Sequence, residues 1–451
     1  MTLIDFGIFL NLFFNGHVLF KGVFPFEFYV GYAPMILLLM IFMAKYKFPR
    51  ETLYILLPLL LTGLLNIFVN NNTFNNLFKI FANVAINLVF YRYVIQYYEY
   101  DVKRIFRLYL KFAYIVCVIG LIQWVSYLIG FVPGYNWKMF VPLNKWSVNL
   151  GGIGIRINST LSEPSYFGTI IAPAFFIAAY EFFFKKDNFY TRTQCLLIII
   201  VYVLSFSSLA IIGIFLSLLL VAINFGFIRY VFLAIPVTII LYSVAYNNMD
   251  EFRQRMMGMK ALFIDNLVEK ELSGNMETGV RMYKVSKILP QIHGSSFVLY
   301  NNYHVAVQNF KQNPLFGSGL GSHEQAYKNF KLNYLLGGIY EFNSADANSM
   351  FLRIISELGI MGVLFVFMFT FKFYVAKNLA AEEDEEYWLI SNALLVLISI
   401  QLLRQGNYTF SGFFLYAWMY YFNRIRYMEY KEEKSSGNVI DEMRDEKVIS
   451  N

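Results

Sequence analysis

Charged side chains set among apolar runs need a partner, a wet cavity or a function, and several such placements stand out in this chain. Arg156 and Glu163 flank the turn in GIGIRINSTLSEPSYFG, with Asn158 between them as a hydrogen-bonder for substrate. Arg353 and Glu357 stand four apart near the start of an apolar run, and Arg404 closes another beside Gln401, Gln405 and Gly406. Arg281 shares a basic helical face with Lys284 and Lys287. Arginine grips phosphate oxygens bidentately, and a carboxylate can take the proton of an attacking hydroxyl. Arg156, Arg281 and Arg404 are therefore candidates for holding an anion, and Glu163 or Glu357 for moving a proton.

Structural readings compete at each position. Pro164 is placed to start a helix, so Ser162 or Glu163 can simply cap it. Arg353 and Glu357 can form a buried intrahelical ion pair. Arg404 can snorkel to an interface. Asp346 and Asn348 suit sugar hydroxyls, although Asn348 can also be an N-cap. His304 and His323 suit polar contacts to substrate better than proton abstraction, and neither has the spaced companions of a metal site. No metal and no cofactor is expected.

The scaffold that must position these residues reads as membrane. Of 451 residues, 58% are hydrophobic and 15% charged, well below the roughly 25% charge of soluble domains. Runs of about 20 apolar residues predict spanning helices. An all-α, polytopic protein of about twelve spans follows, at about Leu3–Phe20, Phe28–Ala44, Leu53–Val69, Phe74–Ile95, Phe106–Ile129, Tyr166–Phe184, Gln194–Leu204, Leu209–Asn224, Ile228–Tyr246, Ser349–Tyr374, Tyr387–Leu403 and Tyr408–Phe422. With both ends cytoplasmic, the basic clusters at 45–50, 92–107, 185–192, 372–377 and 424–431 all fall inside, as the positive-inside tendency requires. The net charge of +7 is then accounted for without nucleic acid. Cys117 and Cys195 fall in or beside spans and imply no disulfide framework.

This divides the chain into helices one to nine over 1–246, including an external segment 130–165, then a large external loop over 247–346, helices ten to twelve over 347–425, and a cytoplasmic tail over 426–451. A loop of about a hundred residues needs its own reason to exist, and the expected one is closure over a site outside the membrane. Within it, Tyr303, Val307 and Phe310 trace a helical face that Asn313–Pro314 should end. Gly317, Gly319 and Gly321 permit a tight turn or close backbone approach. Ser322 and Gln325 read as a capping box for a second helix, whose Tyr327, Phe330 and Tyr334 face lipid or the helical body.

Three stretches in order, RINSTLSEPSYFG, FKQNPLFGSGLG and NSMFLRIISELGIMG, resemble the O-antigen polymerase and O-antigen ligase superfamily of bacterial envelope enzymes. The resemblance covers about residues 1–425. It implies a fold like that of the GT-C glycosyltransferases, in the bacterial inner membrane. It also implies an undecaprenyl-pyrophosphate-linked oligosaccharide as donor, an acceptor glycan outside that membrane, and membrane lipids as surroundings. Carried over, Arg156 faces the donor phosphate, and Asn348 stands where ligases have a histidine. That departure favours a polymerase of repeat units, with a chain-length regulator as a possible partner, over a ligase acting on lipid A core. A transporter of lipid-linked glycan is the different-class alternative. It would show two similar halves, whereas the long loop here is asymmetric.

Overall fold

The protein is described by a computed structural model covering residues 2–20, 27–69, 71–140, 143–151, 154–224, 231–248, 250–265, 268, 294–332, 343–377 and 385–449. The described elements are helical apart from two antiparallel hairpins, β1 (Val18–Leu19) with β2 (Phe28–Tyr29) and β3 (Asn149–Gly151) with β4 (Gly154–Arg156).

The first helices are α1 (Leu3–Phe13), α2 (Tyr32–Lys45), α3 (Leu53–Phe68), α4 (Phe74–Tyr97), α5 (Val102–Leu128) and the short α6 (Val132–Tyr135). Next come α7 (Pro164–Ile170), α8 (Ala172–Phe184), α9 (Arg192–Leu204), α10 (Ser208–Asn224), α11 (Val231–Asn248) and α12 (Asp250–Met259). The chain closes with α13 (Gly294–Gln312), α14 (His323–Phe330), α15 (Met350–Lys372), α16 (Glu385–Arg404) and α17 (Phe413–Ile449). Several starts are dictated locally, because Thr73, Asp101 and Ser349 each turn a side-chain oxygen onto the N3 amide of the helix that follows.

Each of the twelve predicted apolar segments contains a helix, but their lengths give a smaller count of spans. Among the described residues, five helices are long and apolar enough to cross a membrane: 50–68, 74–97, 102–128, 350–372 and 385–404. A sixth is α7 with α8, if this pair bent by 57° is one span. The molecule is a polytopic, mostly helical membrane protein with five or six such helices. The helices at 3–13, 32–45, 192–204 and 208–224 are apolar but shorter.

One end of α16 gathers side chains from three of the basic clusters. Glu386 pairs with Lys103 and Arg107, and Glu385 with Lys186. Arg426 reaches the Glu99 and Tyr100 carbonyls nearby. At roughly 1.5 Å rise per residue, Arg404 stands about 30 Å away at the other end.

α15 is broken. Gly359 has φ 63° and ψ −156°, a region open essentially to glycine alone. The NPLFGSGLG stretch lies alongside and replaces the missing helical hydrogen bonds. Ser318 N donates to Ser356 O (3.2 Å), Gly319 N to Glu357 O (2.8 Å), Ile360 N to Pro314 O (2.9 Å) and Met361 N to Leu315 O (3.1 Å). The close approach allowed by Gly317 is to the Glu357 backbone; that of Gly319 is to Asn66 and Gly63, and that of Gly321 to Asn76.

Two local expectations in the loop need correction. α13 ends at Gln312 as predicted, but it buries Asn301, Asn302, Val305, Ala306 and Asn309 while Tyr303 is exposed. The capping box at Ser322 does not form. Its backbone is already helical, and its hydroxyl bonds Ser318 Oγ at 2.6 Å. Tyr327 is fully buried and accepts from Asn301 Nδ2. Tyr334 lies outside the described residues.

Candidate functional site

The β3–β4 hairpin delivers Arg156 to the edge of the helical body, and the turn after it is built from buried amides. Asn158 accepts from Gln123 Nε2 (3.0 Å) and donates to Leu161 O (2.8 Å), while Ser159 N donates to Gln123 Oε1 (3.0 Å). Asn158 is fully buried by these contacts, so its amide shapes the turn. Glu163 then stands at the N-cap of α7 with no side-chain capping bond. Its carboxylate is exposed and accepts from Ser165 Oγ (3.0 Å).

Facing this turn are two other segments. In the one before α15, Asp346 Oδ1 accepts from Asn348 N and Asn343 Nδ2, both at 3.0 Å, and Ala347 and Asn348 are left-handed (φ 58° and 55°). In the one after α16, Arg404, Gln405 and Gly406 run past Asp346. Arg353 holds that second segment in place. It is nearly buried, donates Nε to Glu357 Oε1 and Nη1 to Gly406 O (3.0 Å each), and lies over the Tyr408 ring at 4.3 Å. Glu357 is fully buried and also accepts from Tyr408 Oη (3.1 Å).

Arg156, Glu163, Asp346, Asn348 and Arg404 thus line one cavity of about 470 Å³. Arg255 of α12 lines it too, close enough to Arg404 to bear on it electrostatically. So do Ser207 and Ser208 at the N-terminus of α10, where Ser207 Oγ accepts from Leu209 N (3.2 Å). Three guanidiniums and the positive end of a 17-residue helix favour an anion.

Beside it lies a second polar cavity of about 530 Å³, between α2, α4 and the same two segments. The two share Tyr166, Asn343, Asp346 and Gln405. Arg353 lines the second cavity as well, but Glu357 lines neither.

His323 is fully buried, with Nδ1 at 3.2 Å from Ser356 Oγ and Nε2 at 3.1 Å from Asn302 Oδ1. Burial, and then the Arg353 charge, push its pKa down to about 3, so it is neutral across the physiological range. His304 is half-buried on α13 and lines neither cavity. Arg281, with Lys284 and Lys287, lies outside the described residues.

Residues 194–367 match the family model described as O-antigen ligase. Over that segment, 174 of the 451 residues, the chain is similar to the O-antigen ligases, a family of bacterial membrane proteins that process glycans. No curated protein matches the chain. The matched span holds Ser207, Ser208, Arg255, Asp346 and Asn348, whereas Arg156, Glu163 and Arg404 lie outside it and are brought to the same cavity by the fold. Sequence reasoning missed Arg255, Ser207 and Ser208. In MDEFRQRMMG nothing separates Arg255 from Arg253, and the serines read as the end of an apolar stretch.

Proposed function

We propose that the chain is a membrane glycosyltransferase, moving an oligosaccharide from an undecaprenyl pyrophosphate carrier to a hydroxyl of an acceptor glycan. The observation that carries this is the convergence of Arg156, Arg255 and Arg404 on one cavity with Glu163, Asp346 and Asn348. As the glycosidic bond breaks, negative charge grows on the leaving pyrophosphate, and fixed cations in a site poor in water stabilise that state. Displacement in one step inverts the anomeric carbon and needs no covalent intermediate and no metal. Arg281 is a proposed fourth cation of the group. Glu163 is a hydrogen-bonding or basic group on the acceptor side, and Arg353 with Glu357 positions the 404–408 segment. Asn158 has the proposed role of setting the turn that carries Arg156, and His304 and His323, which line neither cavity, of supporting the site from behind.

The gathering of basic clusters at the far end of α16 supports a cytoplasmic location for that end. The cavities then open outside the inner membrane, both termini lie inside, and the shorter helices complete about twelve spans. In this arrangement the 247–346 loop supplies Arg255 and Asp346 from the outer face.

The name of the matched family supports a ligase that attaches finished glycan to lipid A core. It outweighs the polymerase preferred from sequence. Asn348, standing where the resemblance expects a ligase histidine, supports joining of repeat units into O-antigen or capsule, with a chain-length regulator as partner. In a strain lacking its own copy, Arg156→Ala, Arg255→Ala and Arg404→Ala should each abolish product while the protein stays in the membrane at wild-type level. Unattached long glycan would identify a ligase, and accumulated single units a polymerase. Normal product from all three variants would end the reading. Purified protein in vesicles that moved lipid-linked glycan without attaching it would be a transporter.

A further inference from the structure

We infer that the second cavity seats the acceptor sugar and that Asp346 is the general base, an inference that rests on the pyrophosphate reading of the arginine-lined cavity. The two cavities meet at Tyr166, Asp346 and Gln405. A hydroxyl on one side of that boundary can therefore reach an anomeric carbon on the other.

Their chemistry differs in the way donor and acceptor require. In the first cavity Arg404 has no ion-paired carboxylate among the described residues, and its neighbour is another arginine, as a bound anion would require. In the second, the cations are already balanced: Lys145 pairs with Glu27, Lys79 lies 3.9 Å from Glu324, and Arg353 is held by Glu357. Such a wall suits an uncharged polyol. The ring of Tyr166, packed at 4.5 Å on Phe410, offers a flat face to a sugar, and Asn83 and Asn407 add amide partners.

Of the carboxylates that line either cavity, Glu27, Glu163 and Asp346, only Asp346 lines both. Glu357 is fully buried in its ion pair, and Glu163 lines the arginine cavity alone. Asp346 is held by backbone and amide donors on Oδ1, which fixes its plane and leaves Oδ2 for a hydroxyl. In the step, the acceptor oxygen bonds to the anomeric carbon and its proton passes to the Asp346 carboxylate. The bond from that carbon to the phosphate oxygen breaks, and its electron pair leaves with undecaprenyl pyrophosphate. Asp346 then returns the proton to water.

The test uses the full chain in host membranes for transfer, and purified in nanodiscs for binding, with undecaprenyl pyrophosphate as the probe. Asp346→Asn retains an Oδ1 acceptor, so the turn can persist. It should lower transfer by about 10²–10⁴-fold while binding the probe at least as tightly as wild type. Ile80→Trp, which fills the second cavity from α4, should cut transfer more than tenfold with probe binding unchanged. Wild-type transfer by either variant would overturn the inference. So would loss of probe binding in both, since that would make the boundary part of the anion site. If Arg156→Ala and Arg404→Ala also bind the probe normally, it is the pyrophosphate reading that has failed.

Discussion

Gly406 lies so close against Asp346 that a Cβ built on it would stand 1.4 Å from the Asp346 carbonyl oxygen. That contact brings the segment carrying Arg404 onto the segment carrying Asp346 and Asn348, and both cavities take their shared wall from it. Gly406→Ala must push the two backbones apart. It should cost about 1–3 kcal/mol of stability and remove glycan product. Thermal unfolding in detergent beside a product assay would read both, and unchanged values would refute the contact.

The Arg353–Glu357 pair predicts a different signature from the cavity arginines. Both side chains are nearly or fully buried, at 3% and 0% exposure, and removing one leaves the other charged in an apolar body. Glu357→Gln should therefore destabilise by about 3–5 kcal/mol. Arg404→Ala, at a half-buried position, should cost far less while removing product. Equal stability losses would mean that Glu357 does not have the positioning role argued for it.

The break in α15 gives a third outcome. A methyl at Gly359 would meet Gly317 N and Leu315 O at 2.6 Å each, and the backbone there is closed to other residues. Gly359→Ala should loosen the NPLFGSGLG stretch from the helix. Amide exchange at Gly319 and Ile360, whose N–H groups bridge the two, should accelerate first. Unaltered protection at both would show that the two segments are not tied together.

Legibility from sequence followed the physics of each segment. Apolar runs are a strong signal, so every predicted segment contains a helix. Run length alone does not say which helices cross the membrane, since 3–13 and 192–204 are as apolar as longer ones. Arg156, Glu163, Asp346, Asn348 and Arg404 stood out as polar groups at the ends of apolar runs, and the structure puts all five on one cavity. Glu357 stood out for the same reason, but its pairing depends on Arg353, Tyr408 and Gly406 meeting in space. The buried face of α13 differs from the expected one because it includes three asparagines, Asn301, Asn302 and Asn309. These are satisfied by His323, Tyr327 and Ser356 from other segments, which no periodicity in the helix itself can show.

His323 carries a pH prediction. Its folded pKa of about 3 lies below the unfolded value of about 6.5, so the unfolded chain binds the extra proton first as pH falls. Its contribution to stability is present in full above about pH 6.5. It is lost at up to about 1.4 kcal/mol per pH unit on going down toward 3. His323→Gln should be less stable at neutral pH but show a shallower acid slope. Parallel slopes for the two proteins would sink the assignment.

The arginine cavity should behave as an anion site even without chemistry. Like charges at Arg404 and Arg255 repel, and an anion between them converts that repulsion into attraction. A ligand that binds only the folded state stabilises it in proportion to the logarithm of its concentration, by about 2.7 kcal/mol at a hundred times Kd. Inorganic pyrophosphate should therefore raise the unfolding temperature of the wild-type protein, and added salt should weaken the effect through screening. Phosphate should do less, because it offers fewer charged oxygens to the three guanidiniums. Arg404→Ala and Arg255→Ala should each lose most of the shift, whereas Ile80→Trp, in the neighbouring cavity, should keep it. A shift equal in all four proteins would place the anion elsewhere on the molecule.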